Sequence, residues 1–362
     1  MLQSDGGKSS FYMYQWVTLN YRCNTADGSQ QDLSELVVWP YRNYGVCETT
    51  PAAEQLVIGC HSTITSNAQC PSNFSNLSSL GEINMLALFA NAWSQNALVV
   101  VPDYEGYGST ASIPHPYCNR ELTAEQVVTG AKAGLSYYEN NVTKMDPNWT
   151  GVAIGYSQGG AVAAGVLRYC QEHNETSLRL KGAVCGDGPY DPLATLKRYI
   201  EMDKLYMPVA PSLLLKGAVD TDPDMIALGC RYEDFVTDKF FQTGIFDMIR
   251  DKQHTTDDIQ TALLNHSYKY GDEGGFTPYN GFTFFHSIGD EVVPYCNFES
   301  VRNTWGVNSI TALSYQSSTT LHVATGTAFF LEYCGNLVDE ILKGKWAPRE
   351  ETVGGHFWKE RN

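Results

Sequence analysis

The stretch GYSQGG, Gly155 to Gly160, sits between the apolar VAI that precedes it and the AVAAGVL that follows. It sets one hydroxyl among glycines where a buried strand pattern gives way to a buried helix pattern, a poor position for a structural serine. In G-x-S-x-G at a strand-to-helix turn, the serine occupies a strained backbone position that lifts its hydroxyl above the strand ends. Side chains in place of the glycines would collide with the neighbouring strand and helix. The next backbone N–H, that of Gln158, points from the helix N-terminus toward an incoming carbonyl oxygen, where it and the helix dipole can stabilise an oxyanion. Ser157 is therefore the candidate nucleophile.

A serine hydroxyl is weakly nucleophilic by itself. It needs a base and an orienting carboxylate, which in this setting follow in the chain order Ser, Asp/Glu, His. In FFHSIGDEVVPYCN an apolar strand ends in a short loop with Asp290 at its tip, on the sheet edge that would also carry Ser157. Glu291 is adjacent but faces differently, and Asp187 in CGDGPYD is the alternative at the end of the preceding strand. Of eight histidines, His61 and His115 precede the serine. His173 lies at a polar helix end, His254 and His266 fall in a helical insertion, and His286 belongs inside a strand. His322, in the small polar loop STTLHVATG just ahead of a helix, is preferred as base over His356 in the C-terminal GGHFW. A second oxyanion donor is expected from the backbone of Ser62 or Thr63, in the loop HSTITSNAQC that follows the early strand QLVIGC.

Around these residues, apolar β-type runs alternate with helical ones. LVVWPY, QLVIGC, ALVVVPDY, GVAIGYS and LKGAVCGDG read as strands; ELTAEQVVTGAKAGLSYYENN and GAVAAGVLRYCQEH read as helices, the former with Thr123 as N-cap. Alternation of this kind implies an α/β fold with a mostly parallel central sheet covered by helices on both faces. Residues 190–279 carry acidic helical patches and no strong strand, and read as a helical cap inserted between the core segments 1–189 and 280–362. GFTFFHSIGDEVVP and SITALSYQSSTTLH resume strand character, and GTAFFLEYCGNLVDEILKG reads as the closing helix.

Composition sets the outer limits. With 362 residues, 43% hydrophobic and 18% charged, the chain can bury a large core. Forty acidic against 24 basic residues give a formal charge of -16, which argues against nucleic acid and anionic membrane surfaces as partners. No apolar run approaches the roughly 18 to 20 residues of a spanning helix, so stable membrane insertion is not expected. No CxxC or HExxH occurs, so neither a metal nor an organic cofactor is expected. Ten cysteines are many for a reduced compartment. Cys23, Cys47, Cys60, Cys70, Cys118, Cys230 and Cys296 stand in loop-like, polar contexts, with Cys60 and Cys70 a possible disulfide, whereas Cys170 and Cys185 read as core thiols. Asn-x-Ser/Thr acceptors occur at Asn73, Asn76, Asn141, Asn148, Asn174 and Asn265. The opening MLQSDGGKSS lacks signal-peptide character, so the expectation of a secreted or periplasmic protein, with cytoplasmic the alternative, rests on cysteines and acceptors.

Together GYSQGG, PDYEGYGST and HSIGDEVVPY resemble the α/β-hydrolase superfamily, and most of all the secreted lipase and esterase branch that includes the fungal lipase-A-like enzymes. The resemblance runs from about Leu36 to Gly344; it departs at the oxyanion loop, where HSTIT replaces HGGG, and in the cap. It implies Ser157 as nucleophile, Asp290 as acid and His322 as base in the cleavage of small-molecule or lipid esters. It also implies structural roles for Asp103 and Glu105 in PDYEGYG. Two other readings share the motif: a serine peptidase of the prolyl-oligopeptidase type, for whose N-terminal propeller the chain has no room, and a hydrolase fold kept for binding.

Overall fold

The structure is a computed structural model that describes residues 2–9, 14–43, 48–73, 96–202, 205–207, 209–229, 276–279, 281–316 and 321–354. The first strands are β1 (Leu2–Ser9), β2 (Tyr14–Asn24) and β3 (Gln30–Pro40), followed by the short ladder of β4 (Arg42–Asn43) with β5 (Glu48–Thr49). Then come β6 (Gln55–Cys60), β7 (Ala97–Pro102), β8 (Thr150–Tyr156), β9 (Leu180–Gly186), β10 (Phe282–Ser287), β11 (Thr311–Gln316) and β12 (Arg349–Gly354). All but β4 and β5 form one ten-stranded sheet in the order β1-β2-β3-β7-β6-β8-β9-β10-β11-β12. The β1/β2, β2/β3 and β3/β7 pairs are antiparallel; from β7 to β12 every pair is parallel.

Parallel strands need crossovers, and the helices that supply them are what bury both faces of the sheet. All six residues of β7, ALVVVP, are buried, with Leu98 and Val100 in one apolar cluster and Val99 and Val101 in the other, as the two-residue period of a strand requires. The first face is covered by α1 (Arg120–Asn141) and α2 (Gln158–Glu172), through Val127, Ala131, Val162 and Val166. Three short helices follow, α3 (Pro192–Glu201), α4 (Val209–Thr221) and α5 (Pro223–Ala227), and then α6 (Cys296–Trp305), which adds Phe298, Val301 and Trp305 to the first face. The second face is covered from the C-terminal side by α7 (His322–Ala328), a π-helical turn at Phe329–Cys334 and α8 (Gly335–Leu342).

The structure departs from the sequence pattern in several places. Helix α1 starts at Arg120, earlier than Thr123: the Asn119 side chain accepts from the Leu122 N–H at 3.3 Å, and Thr123 is buried in the first turn. The closing helix is two helices joined by the π turn, and one more strand, β12, lies beyond it. That strand, REETVG, has no apolar period because it is largely exposed and, among the described residues, has a neighbour on one side. Cys60 and Cys70 are both buried and free, as are Cys23, Cys170, Cys185 and Cys334; Cys118 and Cys296 are free and half-buried. Cys23 and Cys60 belong to strands and not to polar loops, and Cys47 and Cys230 lie outside the described residues.

Within 190–279, the described elements are α3, α4 and α5. They bury Leu196, Tyr199, Leu214 and Leu215 in a cluster of their own, closed by Tyr117, Val292 and Val293 from loops of the sheet. Residues 230–275 of that segment lie outside the described ones. Among the described residues, no helix is long and apolar enough to cross a membrane.

Phe284 in β10 is fully buried, with ring centroids 4.9 Å from Tyr190 and 5.7 Å from Trp305. Phe284→Ala removes that ring from the centre of the parallel sheet, and denaturant unfolding is expected to show a loss of about 3–5 kcal/mol.

Candidate active site

Ser157 links β8 to α2 with φ 58° and ψ -129°, a backbone position in the left-handed half of the map that costs a side-chain-bearing residue about 1–3 kcal/mol. Backbone hydrogen bonds hold it there: the Ser157 N–H donates to Gly186 O at 2.8 Å, and the N–H groups of Gly160 and Ala161 donate to Ser157 O at 2.9 and 3.4 Å. The flanking glycines are needed because backbone meets backbone. A Cβ on Gly155 would overlap the Gly159 carbonyl, and one on Gly159 would overlap the carbonyl of Cys60 at the end of β6. The turn thereby presents the serine at the carboxyl ends of the parallel strands.

Asp290 follows the turn after β10, and His322 is the first residue of α7. Asp290 Oδ2 lies 2.5 Å from His322 Nδ1, while its Oδ1 accepts from the N–H groups of Val292 and Val293 at 2.8 Å each. Burial alone would push the Asp290 carboxyl up. The hydrogen bond and charge of His322, the proximity of His286 and the Val293 N–H outweigh it and hold the carboxyl below the usual carboxylate range. That arrangement fixes the tautomer: Nδ1 carries the proton donated to Asp290, and Nε2 is left as the basic nitrogen. Nε2 is buried and has no hydrogen-bond partner among the described residues. His322 and Ser157 line the same cavity, of about 430 Å3.

The structure thus brings Asp290 and His322 into contact and sets Ser157 at the cavity the imidazole borders. His286 is buried inside β10, where its Nε2 faces Val293 O at 3.0 Å; His356 lies outside the described residues. Glu291 has a use that its sequence position did not reveal: both carboxylate oxygens accept from the His322 N–H at 3.0 Å, at the start of α7.

Gln158 is the first residue of α2, so its backbone N–H has no acceptor within the helix. Its side chain is held by a residue that sequence order had set aside. Gln158 Nε2 donates to His115 Nε2 at 2.7 Å, and His115 Nδ1 lies 2.6 Å from Glu105 O. Burial presses the His115 ring down to about 4, so it is neutral and can accept from the amide. Across the cavity, Ser62 and Thr63 lie in the loop after β6; the Ser62 hydroxyl donates to Tyr156 O at 2.8 Å, and Thr63 Oγ1 is 3.0 Å from the Tyr117 hydroxyl. With their side chains tied down, what this loop can offer a substrate is backbone. Met207, Val209, Val323 and Phe330 give the cavity apolar walls. Asp103 is fully buried and accepts from the Ser34 hydroxyl at 2.5 Å and the Ser72 N–H at 2.8 Å. Glu105 accepts from the Ala26 N–H and from Gln126. Both carboxylates tie loops together away from the cavity.

No protein-family profile matches the sequence, and no curated protein matches it either. Solved structures do match. The rice cell wall degrading esterase LipA from Xanthomonas oryzae superposes with a TM-score of 0.69 at 17% identity, over 92% of this chain and 91% of that one. Candida antarctica lipase A in its closed state superposes with a TM-score of 0.66 at 15% identity, over 96% of this chain and 83% of that one. The chain has the α/β-hydrolase fold. At these identities the likeness carries the fold, and the roles of individual residues rest on the geometry above.

The buried His286 ring offers a check on the electrostatics of the site. Burial presses it from the usual 6.5 to about 4, so the stability it lends as a neutral ring is complete above pH 6.5 and is lost as pH falls to 4. Unfolding free energies for the wild type and His286→Gln, measured from pH 7 to 4, are expected to converge through that window by about 1.4 kcal/mol per pH unit. Parallel curves would mean that the ring does not titrate as its burial demands.

Proposed function

We propose that the chain is a carboxylic-ester hydrolase that works through an acyl-enzyme on Ser157. The observation that carries this reading is the 2.5 Å contact between His322 Nδ1 and Asp290 Oδ2 beside the cavity that Ser157 lines. His322 Nε2 takes the proton from Ser157 as its oxygen attacks the ester carbonyl, and Asp290 steadies the imidazolium that results. The oxyanion of the tetrahedral intermediate is held by the Gln158 N–H and by a backbone N–H of the Ser62–Thr63 loop, with Ser62 the first candidate. His322 returns the proton to the leaving alcohol. Water, deprotonated by the same nitrogen, then frees the acid and restores the serine.

A cavity of about 430 Å3 with apolar walls and a polar floor suits a small acyl or aryl group. The two neighbours named above are called an esterase and a lipase, which agrees with an ester as the bond cleaved. Residues 190–279 are read as a cap over the 1–189 and 280–362 core, since α3, α4 and α5 form a separate apolar cluster and Met207 and Val209 reach the cavity wall. Export from the cytosol is part of the same reading. Asn73, Asn141, Asn148 and Asn174 all stand exposed, and the Xanthomonas neighbour is described as degrading a cell wall.

A fluorophosphonate probe is expected to label the wild type and not Ser157→Ala. Among p-nitrophenyl esters of rising chain length, turnover is expected to favour short acyl groups, with no cleavage of an aminoacyl-prolyl amide. Asp290→Asn, which loses the imidazole's acceptor, is expected to lower kcat about 10,000-fold. Unimpaired turnover by that variant, or preferred cleavage of the amide, would overturn the assignment.

A further inference from the structure

Asp187 stands directly after β9, with φ 38° and no exposed surface, beside the strand whose final turn carries Asp290. The imidazole is bonded by Asp290. Asp187 is bonded elsewhere: its Oδ1 accepts from the Ser287 N–H at 2.8 Å, and its Oδ2 lies 2.6 Å from the Tyr156 hydroxyl oxygen. That same hydroxyl oxygen lies 2.7 Å from the main-chain carbonyl of His322.

The protons in this chain of contacts can be counted. A tyrosine hydroxyl has one, and a carbonyl oxygen can only accept. If the Tyr156 proton goes to Asp187, the His322 carbonyl faces a bare oxygen at hydrogen-bond distance, lone pair against lone pair. If it goes to His322, the contact with Asp187 needs a proton of its own, which only the carboxyl can supply. The surroundings ask for the same proton. Asp187 and Asp290 lie close enough that, with His286, their polar atoms fall within 4.8 Å of one another, and two buried carboxylates at such range cannot both stay ionised. Asp290 is the better anion, since it receives three N–H donors where Asp187 receives one.

We infer that Asp187 is a neutral carboxylic acid which donates to Tyr156, and through it to the His322 carbonyl, and thereby positions the base of the triad. This rests on the triad proposed above. The His322 main chain is then gripped on both sides, its N–H by Glu291 and its carbonyl by Tyr156, while Asp290 remains the single anion facing the imidazole. The groups that face Asp187 are Tyr156 from β8, His286 and the Ser287 N–H from β10, and Asp290 from the loop after it; Glu291 and His322 lie one contact further out. Burial, and then the Asp290 charge, push the Asp187 carboxyl well above the usual range, and burial presses His286 down to about 4, so that ring is neutral too. Asp187, His286 and Asp290 also have the make-up of a cation site. The carboxyl oxygens there already meet N–H and O–H groups, which is why a proton is the better occupant.

The test has two arms. In isotope-edited infrared spectra at pH 7, recorded without substrate on protein labelled at the aspartate carboxyl carbon, wild type minus Asp187→Asn is expected to show a protonated-carboxyl stretch. Its absence would overturn the inference whatever the enzyme's activity. In turnover of a p-nitrophenyl ester, Asp187→Ala and Tyr156→Phe are each expected to lower kcat about ten-fold, with KM little changed. Asp187→Asn keeps an acceptor for Ser287 and a donor for Tyr156, and is expected to recover kcat to within about three-fold of wild type. It is also expected to lose the alkaline decline in kcat that ionisation of Asp187 causes in the wild type. An Asn variant as impaired as the Ala variant would overturn the inference. So would loss of activity in EDTA that a divalent cation restores. Absence of fluorophosphonate labelling at Ser157 would instead sink the proposed triad and leave the infrared result to decide Asp187 alone.

Discussion

The close approach of α2 to the carboxyl ends of β6 and β8 is the constraint on which the rest depends. Backbone meets backbone there: Gly159 has no room for a Cβ against the Cys60 carbonyl, and Gly155 has none against Gly159. Only at that range does Ser157 have to take up φ 58°, and only then does α2 begin at the residue that follows it. The strain at one residue is small beside the apolar surface that β8 and α2 bury on either side of it, so the surrounding core over-determines the turn. A relaxed turn would lose both the lifted hydroxyl and the orphan N–H of Gln158.

The second feature is a set of buried polar groups that would be costly if any lacked a partner. Asp290 is ionised because three N–H groups converge on it, and His115 and His286 are neutral because burial disfavours their charge. These opposite outcomes within one buried neighbourhood give a single anion facing a single imidazole. Tyr156 joins the two halves of the site. It ends β8 just before Ser157, its carbonyl takes the Ser62 hydroxyl, and its side chain reaches the main chain of His322.

Much of this was legible in the chain. Glycines at 155, 159 and 160 announce a contact that tolerates no side chain, and Asp290 and His322 follow strand patterns at the edge where Ser157 must emerge. The edges of the sheet were harder to read. REETVG carries no apolar period because it is exposed, and α1 is capped at Asn119, four residues before the Thr123 that the sequence offers, because the cap precedes the apolar pattern. The cysteines misled for a related reason. Cys60 is followed by a polar loop but ends a buried strand, so it packs as a small apolar group and makes no bridge. The supporting roles of Tyr156, His115 and Glu291 have no sequence signature, because each depends on contacts between segments far apart in the chain.

The central claim is that three side chains remote in sequence work as one unit at the rim of this sheet, Ser157 attacking the substrate carbonyl with His322 and then Asp290 behind it. The most direct measurement is a crystal structure of the protein after reaction with a p-nitrophenyl alkylphosphonate. The expected result is phosphorus bonded to Ser157 Oγ, with the phosphoryl oxygen at hydrogen-bond distance from the Gln158 N–H and His322 Nε2 turned toward the adduct. Phosphorus on any other residue, or an imidazole other than that of His322 beside it, would contradict the claim.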